Sequence, residues 1–502
     1  MSTMKSLLRW LVLAAPCTVF PAGCGSSPED EAGVRGMYVE DLSACPTGPY
    51  QTIKTANVRK GPSTNFSVLR QFTGEVTVEG NPKKDAVSVW RPVLFTLAGK
   101  TQVQEGWMHS WLLRCAPAPA AQTTGAWDAV GDYVEPVSDL AVARLEDGRV
   151  LAAGGSNAID WPYYSKKAAL YDPTAKTWTA AKQFLATARA HHTLTALADG
   201  SVLAVGGENI SGYVKNAERY QPAEQRWAAA GALSVARSYH TATRLSDGRV
   251  VVMGGAAMGT YRRGKPLASA EVYDPRGGVG AWSSAAPLAT ARYGHTATVL
   301  ADGRVLVVGG AITESGTPTG KAEIYDPTTN EWMSVASLKT PRVFHKTVAL
   351  PDGRVFVFGG ETLSTEGVRD GASGAEIYDA RSDSWAAVDG PEGHTYPSLE
   401  LAVLKGGRVM AMGGASAEEL GSLPSFSIGA KAVHVFDVAK NAWSMGAPMS
   451  VGRTAFAATL LGDGEKLLVV GGLAEDAEDF SYWKSSEVFS IPATVVTGPG
   501  PR

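Results

Sequence analysis

A recurring arginine is the first feature of this sequence that could carry chemistry. In four copies a histidine follows it three residues later, and in a fifth copy a phenylalanine does: Arg189/His192, Arg237/His240, Arg292/His295, Arg342/His345 and Arg453/Phe456. Guanidinium groups bind carboxylates and other anions with well-directed donors. The arginines therefore predict either a ligand-binding ring for an anion or a set of structural bonds. The histidines are expected to be structural, and they lack the spacing of a metal site.

Aromatic residues form a second candidate for binding. They fall in two segments: Trp161, Tyr163 and Tyr164, and then Phe480, Tyr482 and Trp483. Aromatic faces suit sugar rings or the apolar side chains of a partner. The alternative is that these rings pack on one another and seal their own loops. No nucleophile, metal or phosphate-loop motif appears, so we predict no catalytic residue, no metal and no cofactor.

The elements that must position these residues repeat along the chain. Gly-Gly pairs begin at residues 154, 206, 254, 309, 359, 413 and 471. A tyrosine or phenylalanine follows each pair, at Tyr171, Tyr220, Tyr273, Tyr325, Tyr378, Phe436 and Phe489. Tryptophans accompany them at Trp127, Trp178, Trp227, Trp282, Trp332, Trp385 and Trp443. This period of about 50 residues resembles kelch repeats, which implies an all-β, seven-bladed propeller.

Each copy predicts four strands. In the clearest copy, Asp302-Gly303 marks a hairpin turn, and 305–308 is apolar on both faces, as a strand between neighbouring blades must be. Because successive strands reverse direction, the Gly-Gly loops and the Arg-x-x-His entries are expected on one face. Trp127 precedes the first copy and no tryptophan follows Phe489, so an N-terminal strand is predicted to complete the seventh blade. A closing strand at 493–496 is the competing interpretation.

The N-terminus resembles a bacterial lipoprotein signal. Lys5 and Arg9 precede a short apolar run, and Pro21-Ala22-Gly23-Cys24 resembles a lipobox, although Pro21 stands where leucine is usual. The resemblance implies a signal peptide at 1–23, lipidation at Cys24 and a tether at 24–44. The protein would then be an exported, membrane-anchored lipoprotein of the cell envelope, with the outer membrane as the expected location. The alternative is an ordinary cleaved leader with an incidental cysteine.

Residues 45–115 resemble a bacterial SH3 domain, a small β-barrel. The resemblance rests on Asn57-Val58-Arg59, Gly61-Pro62-Ser63 and Gly106-Trp107. It implies docking on peptidoglycan or other cell-wall material. Cys45 and Cys115 frame this segment, and a disulfide between them is predicted for an exported chain; two free thiols are the alternative. A Pro/Ala linker at 116–125 leads to the propeller at 126–496, and 497–502 form a tail.

Two functions from different classes follow. The formal net charge is −3 with no strongly basic segment, so a nucleic-acid partner is not expected. The favoured hypothesis is a non-enzymatic envelope-binding protein whose loop face holds a protein or glycan. The alternative is a carbohydrate-active enzyme of the sialic acid mutarotase type, with arginines and carboxylates near the channel. A copper radical oxidase, which needs a cysteine crosslinked to tyrosine, is excluded because no cysteine follows Cys115.

Overall fold

The structure is a computed structural model that divides into two compact units, Met1–Ala121 and Gln122–Arg502. It describes residues 125–157, 163–259, 264–364, 367, 369–391, 398–414, 429–462, 464–475 and 480–490, together with six strands of the first unit. These parts contain strands and turns only. Accordingly, the described chain has no helix with the length and apolar character needed to cross a membrane.

The first unit is built from antiparallel strands. They are Tyr50–Thr52, Ala56–Arg59, Val68–Phe72, Trp90–Thr96, Val103–His109 and Leu113–Cys115. The middle four form one sheet in the order third, second, fifth, fourth, and the first strand pairs with the last, Tyr50 opposite Cys115. The SH3-like barrel stays a prediction. Cys24 and Cys45 lie outside the described residues, so lipidation and the disulfide also stay predictions.

The second unit is the predicted seven-bladed propeller, each blade a four-stranded antiparallel sheet. The first, innermost strands are Ala141–Arg144, Thr193–Ala196, Thr241–Arg244, Thr296–Val299, Lys346–Ala349, Glu400–Val403 and Ala457–Leu461. The second strands are Val150–Ala153, Val202–Val205, Val250–Met253, Val305–Val308, Val355–Phe358, Val409–Met412 and Lys466–Val470. Neighbouring first strands contact one another around the whole ring.

The outer half of each blade carries the recurring aromatic residues. The third strands are Ala168–Asp172, Asn216–Gln221, Ala270–Asp274, Ala322–Asp326, Ala375–Asp379, Val433–Asp437 and Ser486–Ser490. The fourth strands are Thr177–Ala180, Arg226–Ala232, Ala281–Ala285, Glu331–Val335, Ser384–Val388, Ala442–Met445 and, from the N-terminal end of the propeller, Ala126–Val130. Short ribbons extend four of the Gly-Gly loops: Glu208–Asn209 with Gly212–Tyr213, Ala256–Ala257 with Lys265–Pro266, Glu361–Leu363 with Arg369–Gly371, and Leu473–Glu475 with Phe480–Tyr482.

The core lies between the blades. The second strands are buried on both faces almost throughout, which explains why their sequences are continuously apolar. One cluster joins Leu151 and Leu170 of blade 1 to Val202 and Tyr220 of blade 2. Equivalent clusters follow around the ring, so each blade depends on both neighbours for its burial.

Each tyrosine or phenylalanine pairs with the tryptophan opposite it on the fourth strand. The ring centroids of the seven pairs lie 4.9–5.2 Å apart. Several of these indoles also reach the preceding blade: Trp282 Nε1 donates to the carbonyl of Ala230 at 2.8 Å, and Trp332 Nε1 to that of Ala286 at 2.8 Å. The aromatic pair therefore ties a blade internally and also holds it to its neighbour.

An N-terminal strand closes the ring, as predicted. Ala126–Val130 pairs with Ser486–Ser490, with Trp127 opposite Phe489. The indole N–H of Trp127 donates to the carbonyl of Ala447 in blade 6 at 2.8 Å. The outer position of blade 7 is thus filled from the N-terminal side. The competing closing strand at 493–496 lies outside the described residues.

The two faces of the propeller differ as the strand directions require. Blade entries and Gly-Gly loops lie together, since isolated bridges join Ala190 to Glu208 and Ser238 to Ala256. We call this the loop face. The opposite face carries tight Asp-Gly turns, in which the carboxylate of Asp302 accepts bonds from the backbone and side chain of Arg304. Such turns satisfy their own polar groups and leave little to recognise a ligand.

Candidate functional site

The five recurring arginines are buried inside the propeller. Arg292 has no exposed surface, and its Nη1 donates to the carbonyls of Gly309 at 2.8 Å and Lys321 at 2.7 Å. Its Nη2 lies 2.5 Å from Glu323 Oε1. The same pairs recur as Arg189–Glu218, Arg237–Glu271, Arg342–Glu376 and Arg453–Glu487. Burial and these internal partners leave the guanidinium groups no access to a ligand, so the structural alternative replaces the predicted ligand-binding role of these arginines.

These arginines hold neighbouring blades together. Glu323 also accepts the backbone N–H groups of Ala289 and Thr290, at 2.7 and 3.1 Å, in the chain that crosses into the blade. The carbonyl of Arg292 accepts the N–H of Gly255, at 2.9 Å, from the blade before. Each arginine thus fixes the crossover to its own blade through its side chain and to the preceding blade through its backbone.

The four histidines are structural, as predicted. His240, His295 and His345 each place Nε2 within 2.9–3.2 Å of a threonine hydroxyl in the preceding blade, on Thr193, Thr241 and Thr296. Burial, reinforced by the nearby arginine, lowers the pKa of His240 and of His345 to about 3. These imidazoles are neutral at ordinary pH. His192 has no such hydroxyl partner, because Ala141 stands at the equivalent place in blade 1.

One residue per blade, directly before the histidine position, surrounds the mouth of the channel on the loop face. We call these seven residues the mouth ring: Asp139, His191, Tyr239, Gly294, Phe344, Ser398 and Ala455. All have left-handed backbones, with φ between 51 and 60°. The N–H of one donates to the carbonyl of the residue one blade back, from Asp139 to Ala455 at 2.8 Å and from Phe344 to Gly294 at 2.8 Å. Closure of the propeller thus brings these residues side by side.

A histidine between two carboxylates occupies one side of the mouth ring. His191 Nδ1 lies 3.5 Å from Asp139 Oδ1, and His191 Nε2 lies 3.7 Å from Glu208 Oε1. The hydroxyls of Ser138 and Ser156 donate to Asp139 Oδ2 at 2.7 and 3.2 Å, which leaves Oδ1 towards His191. All three titratable side chains are about a fifth exposed. They can therefore meet a ligand at the loop face.

Aromatic rings continue this arrangement across the mouth. The imidazole of His191 stacks on Tyr239, with centroids 4.4 Å apart and planes at 29°. Phe344 meets Tyr239 edge-on at 5.5 Å. It can do so because Gly294 lies between them: a Cβ there would come within 2.7 Å of the Phe344 ring. We call Asp139, His191, Glu208 and Tyr239 the mouth site.

The electrostatics of the mouth site favour positive charge. Burial raises the pKa of the Glu208 carboxyl; His191 opposes this shift and Asp139 adds to it. Burial and then Glu208 and Asp139 raise the pKa of Tyr239 well above its usual value, and burial followed by Glu208 raises that of Tyr213 to about 12. Both phenols therefore stay protonated and can donate hydrogen bonds. The mouth ring contains no lysine or arginine, so these seven residues do not form the anion site expected from the sequence.

The predicted aromatic patch is only partly described. Tyr163 is exposed, and Tyr164 is half-buried near the mouth site, since after burial Glu208 and Asp139 raise the pKa of its phenol. The indole of Trp483 donates to the carbonyl of Gly452 at 3.0 Å. Tyr482 is half-buried. Trp161 and the side chain of Phe480 lie outside the described residues, so binding by the whole patch stays a prediction.

The mouth site was not predicted from the sequence, although a signal for it existed. Arginine and histidine recur around the ring position, whereas that position itself holds seven different residue types. Such variation inside a regular repeat indicates a position at which the fold does not determine the residue type. Among the described residues, no three His, Cys, Asp or Glu side chains are grouped so that they could hold a metal ion.

Comparison with known proteins supports the fold. A family model for the KLHDC2/KLHL20/DRC7 Kelch-repeats domain matches residues 281–472. Among curated sequences, none matches the chain. A solved structure of a fungal alcohol oxidase of the AA5 family, in complex with copper, is 19% identical and covers 75% of this chain and 79% of its own, with a TM-score of 0.57. The structure of YjhT is 14% identical and covers 63% of this chain and 99% of its own, with a TM-score of 0.47. At 19% identity the likeness to the oxidase structure is one of fold alone, and nothing is concluded from the likeness to YjhT.

Proposed function

We propose that the chain is a non-enzymatic binding protein of the cell envelope and that its loop face receives a partner protein. The observation that carries this proposal is a set of exposed apolar side chains on the Gly-Gly loops around the mouth. Tyr163 is 43%, Ile210 55%, Met258 73% and Leu363 36% exposed. A single exposed apolar residue is ordinary, but four on loops of one face favour an interaction surface.

Two of these residues are neighbours. Ile210 lies at the turn of the ribbon that begins with Glu208, and the methyl group of Met258 approaches Gly212 in the same turn. The loops of blades 2 and 3 therefore present adjoining apolar side chains beside the mouth site. Apolar anchors next to a few polar groups are typical of protein-binding surfaces, where most of the affinity comes from a small number of buried contacts.

The experiment compares the two faces by substitution. We expect Ile210→Asp with Met258→Asp to abolish capture of an envelope protein by the immobilised full chain. Val279→Asp is the matched control, because Val279 is 61% exposed on the opposite face, between the third and fourth strands of blade 3. Equal capture by both variants, each with an unchanged melting temperature, would show that the loop face is not the binding surface.

The N-terminal segments extend this proposal. A lipid on Cys24 would hold the protein on a membrane, and the SH3-like unit would dock on cell-wall material; the motifs of the sequence support both. Replacing Cys24→Ser is expected to move the protein from the membrane to the soluble fraction. Unchanged membrane partitioning would count against lipidation.

A carbohydrate-active enzyme is the second candidate. The sialic acid mutarotase alternative relied on arginines and carboxylates near the channel, and the five recurring arginines are buried. The arrangement of His191 between Asp139 and Glu208 favours this candidate instead. An imidazole beside carboxylates at an accessible site is a combination that general acid–base catalysis uses. Proton NMR of a free sialic acid would show faster exchange of its anomers with the protein, and His191→Gln would remove that acceleration.

A further inference from the structure

We propose that the loop face of blades 1–3 receives an acidic segment of the partner protein, whose apolar side chains are held between exposed lysines. This inference rests on the proposed function of the loop face. It adds the charge of the partner and names the residues of this chain that select it.

Each Gly-Gly loop of the first three blades combines one exposed apolar side chain with one exposed lysine. We call these the loop pairs: Tyr163 with Lys166, Ile210 with Lys215, and Met258 with Lys265. In blade 4 the corresponding loop ends at the exposed Lys321. Four consecutive blades therefore carry a lysine shortly before the third strand begins, and we call these four lysines the lysine arc.

The lysines of the loop pairs have no carboxylate partner in the described parts of the chain. On the opposite face, by contrast, Arg276 Nη2 lies 2.6 Å from Asp274 Oδ2, beside the exposed Val279. The arginines of four Asp-Gly turns likewise lie 2.6–2.7 Å from their own aspartates. The loop face thus offers apolar side chains next to cations that are not neutralised from within, and carboxylates of a partner complement such cations.

The loop pairs of blades 2 and 3 adjoin each other. Lys265 lies opposite the residue before Met258 in its ribbon, and the methyl group of Met258 approaches Gly212 in the neighbouring ribbon. The carbonyl of Lys215 accepts a hydrogen bond of 2.8 Å from the crossover to blade 3, which fixes the backbone of that lysine. Ile210 and Met258 are therefore accompanied by a lysine from each loop. A segment with apolar anchors and flanking carboxylates matches this combination of groups.

The carboxylates of the mouth site favour a protein segment over an anionic membrane surface. Asp139 and Glu208 lie against His191 near the axis of the propeller. The lysine arc lies by the third strands, two strand spacings or about 10 Å further out. Charges at a surface are screened over about 8 Å at physiological ionic strength. A protein segment can follow the lysine arc outside the mouth carboxylates, whereas a bilayer of anionic lipids would cover both.

The test selects peptides from a displayed library of random sequences with the immobilised full chain. We expect the enriched peptides to combine a net negative charge with apolar side chains. Lys215→Glu with Lys265→Glu should weaken binding of an enriched peptide about tenfold, as measured by fluorescence anisotropy, because attraction becomes repulsion. Lys176→Glu with Lys440→Glu makes the same change of charge in two turns of the opposite face and should leave binding unchanged.

A charge exchange tests direct contact. A peptide in which one acidic residue is replaced by lysine should bind the unmodified chain more weakly and regain affinity for Lys215→Glu with Lys265→Glu. Absence of this recovery, or equal weakening by the two double variants, would overturn the assignment of the lysines.

The selection itself can also contradict the inference. Neutral or basic enriched peptides, or no enrichment at all, would reject an acidic segment. Binding to phosphatidylglycerol vesicles that is lost with Lys215→Glu and Lys265→Glu, without peptide binding, would assign the lysine arc to a membrane. Neutral peptides that no longer bind after Ile210→Asp with Met258→Asp would reject this inference alone, whereas capture of an envelope protein that survives that double substitution rejects the proposed function.

Discussion

Arg292→Ala is expected to destabilise the propeller strongly. Arg292 is fully buried and donates to two carbonyls and to Glu323, itself almost completely buried. The substitution leaves a carboxylate inside the protein with only two backbone N–H partners, from Ala289 and Thr290. Removing one partner of a buried ion pair costs about 3–5 kcal/mol. We expect a loss in the free energy of unfolding within that range.

The same blade offers the matched control. Arg304 pairs with Asp302 at 2.7 Å in the exposed hairpin turn, with about a third of its side chain accessible. Exposed pairs contribute about 0–1 kcal/mol, so Arg304→Ala should change stability little. Urea denaturation of the full chain, followed by tryptophan fluorescence, measures both variants. Loss of less than about 1 kcal/mol in Arg292→Ala, or equal losses in the two variants, would refute the structural role.

Blade 1 shows how the buried charge can be removed. It has Val137 where blades 2, 3, 4, 5 and 7 have arginine, and Ala169 where those five blades have glutamate. Copying that pair into blade 4, as Arg292→Val with Glu323→Ala, eliminates both charges together. We expect this double variant to be more stable than Arg292→Ala, because no unpaired carboxylate stays buried. A double variant less stable than the single one would mean that packing, and not charge, dominates at this position.

Two further outcomes follow from the buried histidines, and a third follows from the sequence. His240 and His345 have pKa values of about 3 in the folded chain, below the ordinary 6.5 of unfolded histidine, so acid protonates the unfolded chain first. The stability that depends on these neutral histidines is fully present above pH 6.5 and is lost as the pH falls towards 3. At pH 5 the loss in the free energy of unfolding is about 2 kcal/mol per histidine. His345→Phe, which copies Phe456 of blade 7, should flatten the curve of stability against pH. Ala141→Thr should give His192 a hydroxyl partner and raise the free energy of unfolding by about 0.5–1.5 kcal/mol; a lower melting temperature would contradict this. Mass spectrometry of unreduced peptides should find Cys45 joined to Cys115, and two free thiols would end that prediction.

Much of the architecture could be predicted from the sequence, because short local patterns determine it. The continuous apolar second strands, the Asp-Gly turns and the paired aromatic positions each act within one blade or between two neighbours, and they predicted the strands correctly. The unmatched Trp127 predicted which strand closes the ring. The sequence also contained an indication that the arginines have a structural role. Blades 1 and 6 lack the arginine, and they lack the glutamate as well, having Ala169 and His434 in its place.

The mouth site was decided by the tertiary structure. Asp139, His191 and Tyr239 come from three blades and are about 50 residues apart in the chain. Nothing in their local sequences indicates contact. They meet because seven blades close into a ring whose entries converge on one axis, and because left-handed backbones form hydrogen bonds from blade to blade there. Burial determined which of the charged side chains reach the surface. The arginines, which have the chemistry of an anion site, are enclosed by glutamates and carbonyls, while the carboxylates of Asp139 and Glu208 reach the surface and give the mouth the opposite charge preference.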